Sequence, residues 1–264
     1  MNMRKDMDKA ITHPRPNSIV AHPFLLMVTF FVLGVSTGAT AASLPNIVLI
    51  VTDDQGYSDV GVFGAKGFQT PHLDRLARDG RRFTDFYVAA SVCTASRAAL
   101  MTGCYPNRVS MFGALNHTSR EGLHPDEVLL PEVLKTKGYA TACYGKWHLG
   151  TVVEFFPTRQ GFDEFYGIPY SNDNSKYHPV VADMPPLPLY ENETVIAFDP
   201  DQSLFTRRLT EKSVDFIEED CWCTVRAAHL AEQVGRGDVH GLNGPWHQGF
   251  GDLKRPCLAG ARFG

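Results

Sequence analysis

The stretch PNIVLIVTDDQG (45–56) constrains the fold most: a short apolar run, rich in β-branched residues, stops abruptly at two acids and a glycine. That pattern predicts a buried strand whose carboxyl end opens into a loop. TPHLDRLARDG (70–80) follows with Thr70 as N-cap, Pro71 at the first helical position, Leu73, Leu76 and Ala77 on one face, and Gly80 as the stop. It predicts a helix. RFTDFYVAA (82–90) alternates toward a second strand, and VCTASRAALMTG (92–103) continues helically to Gly103, so Cys93 falls at a strand-to-helix turn. LPEVLKTKGYATACYGKWHLG (130–150) repeats the pattern: a helix from Pro131 to Gly138, a strand over 139–144, and a polar exit at Lys146 and His148. Such alternation predicts an α/β sandwich around a mostly parallel sheet.

Beyond this the signals change. Residues 155–200, rich in Pro, Gly, Asn and aromatics, read as long surface loops, and SLFTRRLTEKSVDFIEE (203–219) returns to helical periodicity through Phe205, Leu209, Phe216 and Ile217. The stretch 220–264 is glycine-rich with scattered Trp and Cys, and reads as an irregular tail to the domain over 44–219.

At the other end, Arg4, Lys5, Lys9 and Arg15 precede the apolar run FLLMVTFFVLGV (24–35), and Ala39-x-Ala41 offers a cleavage site. This predicts a secretory signal peptide over 1–41. The run is short of the roughly 20 residues that span a bilayer, so the membrane is expected to be met only in transit. Export leads to an oxidising compartment, where paired cysteines are expected. The six cysteines form no CxxC pair that would suggest zinc. Asn116-His117-Thr118 and Asn192-Glu193-Thr194 match the glycosylation pattern of a secreted glycoprotein. With 44% hydrophobic and 20% charged residues, the chain has material for a core. A net charge of -4 without a basic stripe gives no argument for a nucleic-acid partner, and none is expected.

Ligands of α/β sheets gather beyond the carboxyl ends of the strands, where Asp53, Asp54, Lys146 and His148 all fall. Adjacent carboxylates repel unless a cation is present, so Asp53 and Asp54 suggest an oxygen-bound calcium or magnesium; the alternative is a loop turn capped by Asp54. Cys93 at a helix N-terminus suits a nucleophile, with a buried hydrophobe or a disulfide half as the alternatives. Arg97, four residues on, shares its helical face and would suit an oxyanion, unless it is an exposed helix arginine. Alternation in GKWHLG points Lys146 and His148 one way and Trp147 the other; a lysine neutralises an anion and a histidine carries a proton.

VLIVTDDQGYSDVG, TPHLDRLARDGRRFTDFYVAASVCTASRAALMTGCYPNRVSM, LLPEVLKTKGYATACYGKWHLG and GFDEFYGIPYSND, in that order over about 45–219, resemble the amino-terminal half of a type I sulfatase close to the arylsulfatase A group. The resemblance implies an alkaline-phosphatase-like sandwich and hydrolysis of a small-molecule or glycan sulfate ester in the secretory pathway, whether secreted, periplasmic or lysosomal. It implies that Cys93 is oxidised by a formylglycine-generating enzyme. The hydrated aldehyde attacks sulfur with one hydroxyl, and deprotonation of the other expels sulfate. Cys93, Asp53 and Asp54 would be metal ligands, for calcium rather than magnesium; Arg97 would steady the hydrate, Lys146 hold a sulfate oxygen, His148 bond the formylglycine hydroxyl and Ser171 help position the substrate.

Two departures accompany the resemblance. Ala95 stands where most members have proline, and the region after 219 lacks the apolar strand, the Pro-His pair and the Asp-Asn metal ligands. His229, His240 and His247 lack the surrounding pattern. The expectation is a truncated sulfatase whose activity is impaired. The alternatives are a non-catalytic secreted fragment and a phosphoesterase or phosphonate hydrolase of the same superfamily.

Overall fold

The computed structural model describes residues 44–178, 180–218 and 226–233. The predicted signal peptide and the tail beyond 233 lie outside them. Among the described residues the sheet has strands β1 (Ile47–Asp53), β2 (Ala140–Lys146), β3 (Glu164–Ile168), β4 (Pro188–Glu191), β5 (Thr194–Phe198) and β6 (Arg226–Gln233). Their order is β1-β6-β2-β3-β4-β5. β1, β6, β2 and β3 run parallel, while β4 and β5 fold back as an antiparallel hairpin on the far edge. The helices are α1 (Pro71–Asp79), α2 (Cys93–Thr102), α3 (Leu130–Lys135) and α4 (Phe205–Glu218).

The two faces of β2 bury different cores. Cys143 packs with Ala98 and Met101 of α2, Trp147 and Phe165 on one side. Ala142 and Tyr144 pack with Tyr166, Ile168 and the α4 residues Leu209 and Phe216 on the other. Period-two alternation in the strands and an apolar stripe on α4 thus build the expected sandwich from local pattern. Gly145 and Gly167 face each other across β2 and β3, and a Cβ on Gly167 would collide with the Gly145 backbone. Position 167 is glycine because a side chain there has no room beside β2.

Several expectations change. Residues 82–90 are not a strand but an exposed irregular segment, because alternation specifies a face and not the existence of a neighbouring strand to pair with. The region 155–200 is not all loop: it contains β3 and the β4–β5 hairpin, whose turn is fixed where Asn192 accepts the Phe165 N–H at 3.0 Å and donates its own N–H to the Phe165 carbonyl at 2.7 Å. Residues 226–233 are not irregular but a strand inserted between β1 and β2. Their sequence, RAAHLAEQ, has little β-propensity, and pairing on both sides overrides it. Thr70 stands at the N-cap of α1, but its hydroxyl accepts the Gly61 N–H at 2.8 Å instead of capping the helix.

Candidate active site

The site forms where the parallel strands end. β1 delivers Asp53, buried, and the chain then leaves the sheet through Asp54, exposed and in the left-handed region at φ 56. A short polar side chain is among the few that tolerate that conformation. β2 delivers Lys146. Beyond it, Trp147 N–H and His148 N–H still bond the carbonyls of Ile168 and Pro169 at 3.0 and 3.2 Å, and the Trp147 indole donates to Phe155 O at 2.8 Å. With Trp147 anchored in the core, Lys146 and His148 are held rigidly at 3% and 1% exposure. α2 opens at Cys93 and places Arg97 one turn later, 5% exposed.

These groups meet. The Lys146 ammonium donates to Asp53 Oδ2 and, at 3.2 Å, to Ser171 Oγ beyond β3. Arg97 donates through Nη1 to the Lys146 carbonyl at 2.6 Å, and its Nη2 lies 3.5 Å from Asp53 Oδ2. Arg97 is therefore a buried clamp between α2 and the ends of β1 and β2, not an exposed helix residue. Cys93 is partly accessible and unpaired, one helical turn before Arg97. Cys143 differs: full burial pushes its thiol up, which keeps it inert. Among the described residues Cys93, Cys104 and Cys143 are free thiols, contrary to the expectation of pairing.

His148 Nε2 contacts the Leu115 carbonyl at 2.6 Å. A carbonyl only accepts, so Nε2 carries the hydrogen and Nδ1 of the neutral ring presents a lone pair. That Nδ1 is buried and has no partner among the described residues. Burial first, then the charge of Lys146, lowers the His148 pKa to about 4, so the ring is neutral at physiological pH. The sequence reading missed the support behind it: Leu115 N–H donates to Thr94 Oγ1 at 3.2 Å, tying the His148 acceptor to the first turn of α2. No motif marks a backbone carbonyl, and only the juxtaposition reveals it.

The expected metal set of Asp53, Asp54 and Cys93 is not assembled. No group of three or more His, Cys, Asp and Glu side chains among the described residues is arranged to hold an ion. Calcium takes six to eight oxygen ligands. Here the Asp53 carboxylate is already neutralised by Lys146 and Arg97, while Asp54 is turned to the surface. The described donors do not fit calcium.

Residues 45–220 match the family model described as Sulfatase. Arylsulfatase A of Bos taurus is 54% identical over 144 residues, covering 53% of this chain and 28% of that protein. Arylsulfatase G of Mus musculus is 38% identical over 210 residues, covering 69% of this chain and 39% of that protein. In three dimensions the chain is similar to the PsFucS1 sulfatase from Pseudoalteromonas sp., with a TM-score of 0.65 and 27% identity over 83% of this chain and 49% of that one. The chain thus spans well under half the length of these curated relatives. Its α/β fold, its mostly parallel sheet and the ordered match across the site elements make it a member of the sulfatase family.

Proposed function

We propose that this chain is built for sulfate-ester hydrolysis of the arylsulfatase type, with Cys93 in its formylglycine form as the nucleophile. The observation that carries the reading is the clamp itself: one turn of helix joins an accessible Cys93 to a buried Arg97, which reaches both Asp53 and the backbone of Lys146. Formylglycine supplies a geminal pair of hydroxyls, one to attack sulfur and one to release it. The side chains do the rest. Lys146 neutralises charge growing on the sulfuryl oxygens in a buried site, where such a term is large. Neutral His148 accepts a hydroxyl hydrogen through the Nδ1 lone pair and so orients the attacking oxygen. Arg97 holds the turn bearing residue 93 against the strand ends, and Ser171 fixes the ammonium.

The calcium or magnesium that the resemblance implies is not matched by the described donors, and no step is assigned to it. The substrate class is a small-molecule or glycan sulfate ester, the modifying partner a formylglycine-generating enzyme, and the route the secretory pathway with glycosylation at Asn116 or Asn192. The absence of a three-donor group among the described residues favours one second reading, a non-catalytic secreted fragment that retains Arg97, Lys146 and His148.

Mass spectrometry of the peptide containing Cys93 and turnover of 4-nitrophenyl sulfate against 4-nitrophenyl phosphate test the proposal together. Conversion of Cys93 with preferential sulfate turnover, lost in Cys93→Ala, is expected. Conversion without turnover selects the fragment, and phosphate preference selects a phosphoesterase.

A further inference from the structure

We propose that Gln160 is a positioning residue for His148, acting through the backbone of Leu123 and Leu149; what the ring then does rests on the sulfate-ester reading. His148 is a non-glycine residue in the left-handed region, at φ 60. Such a conformation is strained and persists only where its surroundings over-determine it. Among the described residues, contacts on three sides do so. The His148 N–H bonds the Pro169 carbonyl at 3.2 Å, and the ring Nε2 donates to the Leu115 carbonyl at 2.6 Å. Just beyond, the Leu149 carbonyl accepts the Leu123 N–H at 2.8 Å.

The third contact needs a support of its own. Gly122 and Gly150 meet as an isolated bridge outside the named strands, so among the described residues no ladder holds Leu123 in place. Gln160 does: its Nε2 donates to the Leu123 carbonyl at 2.9 Å, from a side chain that is 1% exposed. A carbonyl only accepts, so the amide nitrogen faces Leu123. The amide oxygen, Oε1, is buried with no partner among the described residues. An apolar side chain of the same size would fill the space without burying an unmatched oxygen, so the amide is explained by its N–H and not by its volume. The turn that bears it is fastened in its turn: Gln160 N–H bonds the Pro157 carbonyl at 2.9 Å, and Thr141 Oγ1 of β2 donates to the Gly161 carbonyl at 2.9 Å. The brace runs from Gln160 through Leu123 to Leu149, and none of these bonds involves the side chains of Lys146, Arg97 or Asp53. Its loss should loosen His148 and leave the ion pairs of Asp53 in place.

Nitrogen-resolved NMR of the His148 ring and amide hydrogen exchange, on the wild-type chain, Gln160→Met and Leu209→Ala, test this, with thermal midpoints as the folding check. Methionine keeps the length of glutamine but has no donor. Leu209→Ala empties part of the core on the other face of the sheet and controls for general destabilisation. The wild-type ring should show one neutral tautomer, with its hydrogen on Nε2. In Gln160→Met that tautomer should give way to a mixture, and the Leu123 amide should exchange about fivefold faster, the loss of one hydrogen bond. With Cys93 converted, kcat for 4-nitrophenyl sulfate should fall about tenfold through misplacement of the ring, while KM stays within about twofold. Leu209→Ala should leave the tautomer single. An unmoved ring in Gln160→Met, or an equal disturbance in Leu209→Ala, overturns the role. If Gln160→Met does not fold, exchange in the wild-type chain decides. One Gln160 Nε2 hydrogen should be protected and open together with the Leu123 and His148 amides; free exchange of both Nε2 hydrogens beside a protected backbone overturns the role. A converted wild-type chain that turns over no sulfate ester overturns the sulfate-ester reading and leaves the brace to be decided by the ring signal, whereas turnover with an unmoved ring overturns only the brace.

Discussion

β1 and β2 are strands of equal length in one sheet, and the more apolar of the two is the less buried. IVLIVTD of β1 leaves Val48 and Ile50 39% and 44% exposed, whereas ATACYGK of β2 is buried from Thr141 onward. The difference lies in coverage. α2 and the loops after it lie over one face of β2 and β3, and α4 lies over the other. Among the described residues β1 is an edge strand with β6 on one side, and only its Leu49 packs against a core cluster. The exposed segment bearing Phe83, Phe86, Tyr87 and Val88 has the same character. Apolar content says what a strand can bury; neighbours decide what it does bury.

The contrast can be broken by mutation. The largest effect is expected in the centre: Phe165→Ala, which empties a fully buried site between the helix layers, should cost about 3–5 kcal/mol in urea unfolding. A loss below about 1 kcal/mol would mean that the central core is no better packed than the edge. Asp53→Ala leaves Lys146 and Arg97 buried without their carboxylate and should cost about 3 kcal/mol or more. Asp53 lies on the edge strand, so this loss would show that ion pairing fixes β1 at its carboxyl end where apolar cover does not.

Acid should act on the centre as well. His148 falls from 6.5 to about 4 on folding, so between these values the unfolded chain binds a proton that the native chain does not. Its contribution is therefore fully present above pH 6.5 and is lost as the pH falls to about 4. It amounts to about 3 kcal/mol at most. Unfolding free energies across that window should slope upward with pH, and His148→Gln should flatten the slope; an unchanged slope would show that other groups carry it. The smallest effect is expected at Ile50→Thr, within about 0.5 kcal/mol, since the side chain is already in water. A loss of about 2 kcal/mol would show that the exposed β1 face is covered in solution.

Local pattern was sufficient for α1, α2, α4, β1 and β2, because capping residues, helical stripes and short apolar runs are local physics. It also placed Lys146, His148 and Asp53 at strand ends, and the structure brings Lys146 and Asp53 together with Arg97. It failed at residues 82–90, at the β4–β5 hairpin and at β6, where the deciding fact is a hydrogen-bonding partner far along the chain.

By itself the sequence determined the alternation of strand and helix, the family motifs and the residues that reach the sheet's carboxyl edge, because each depends on neighbours a few positions away. Only the tertiary structure decided which apolar run is covered, that Arg97 is buried, and that Asp53 spends its charge on Lys146 and Arg97 while Asp54 faces water. Those outcomes turn on distance and desolvation between residues remote in sequence, which no local pattern encodes.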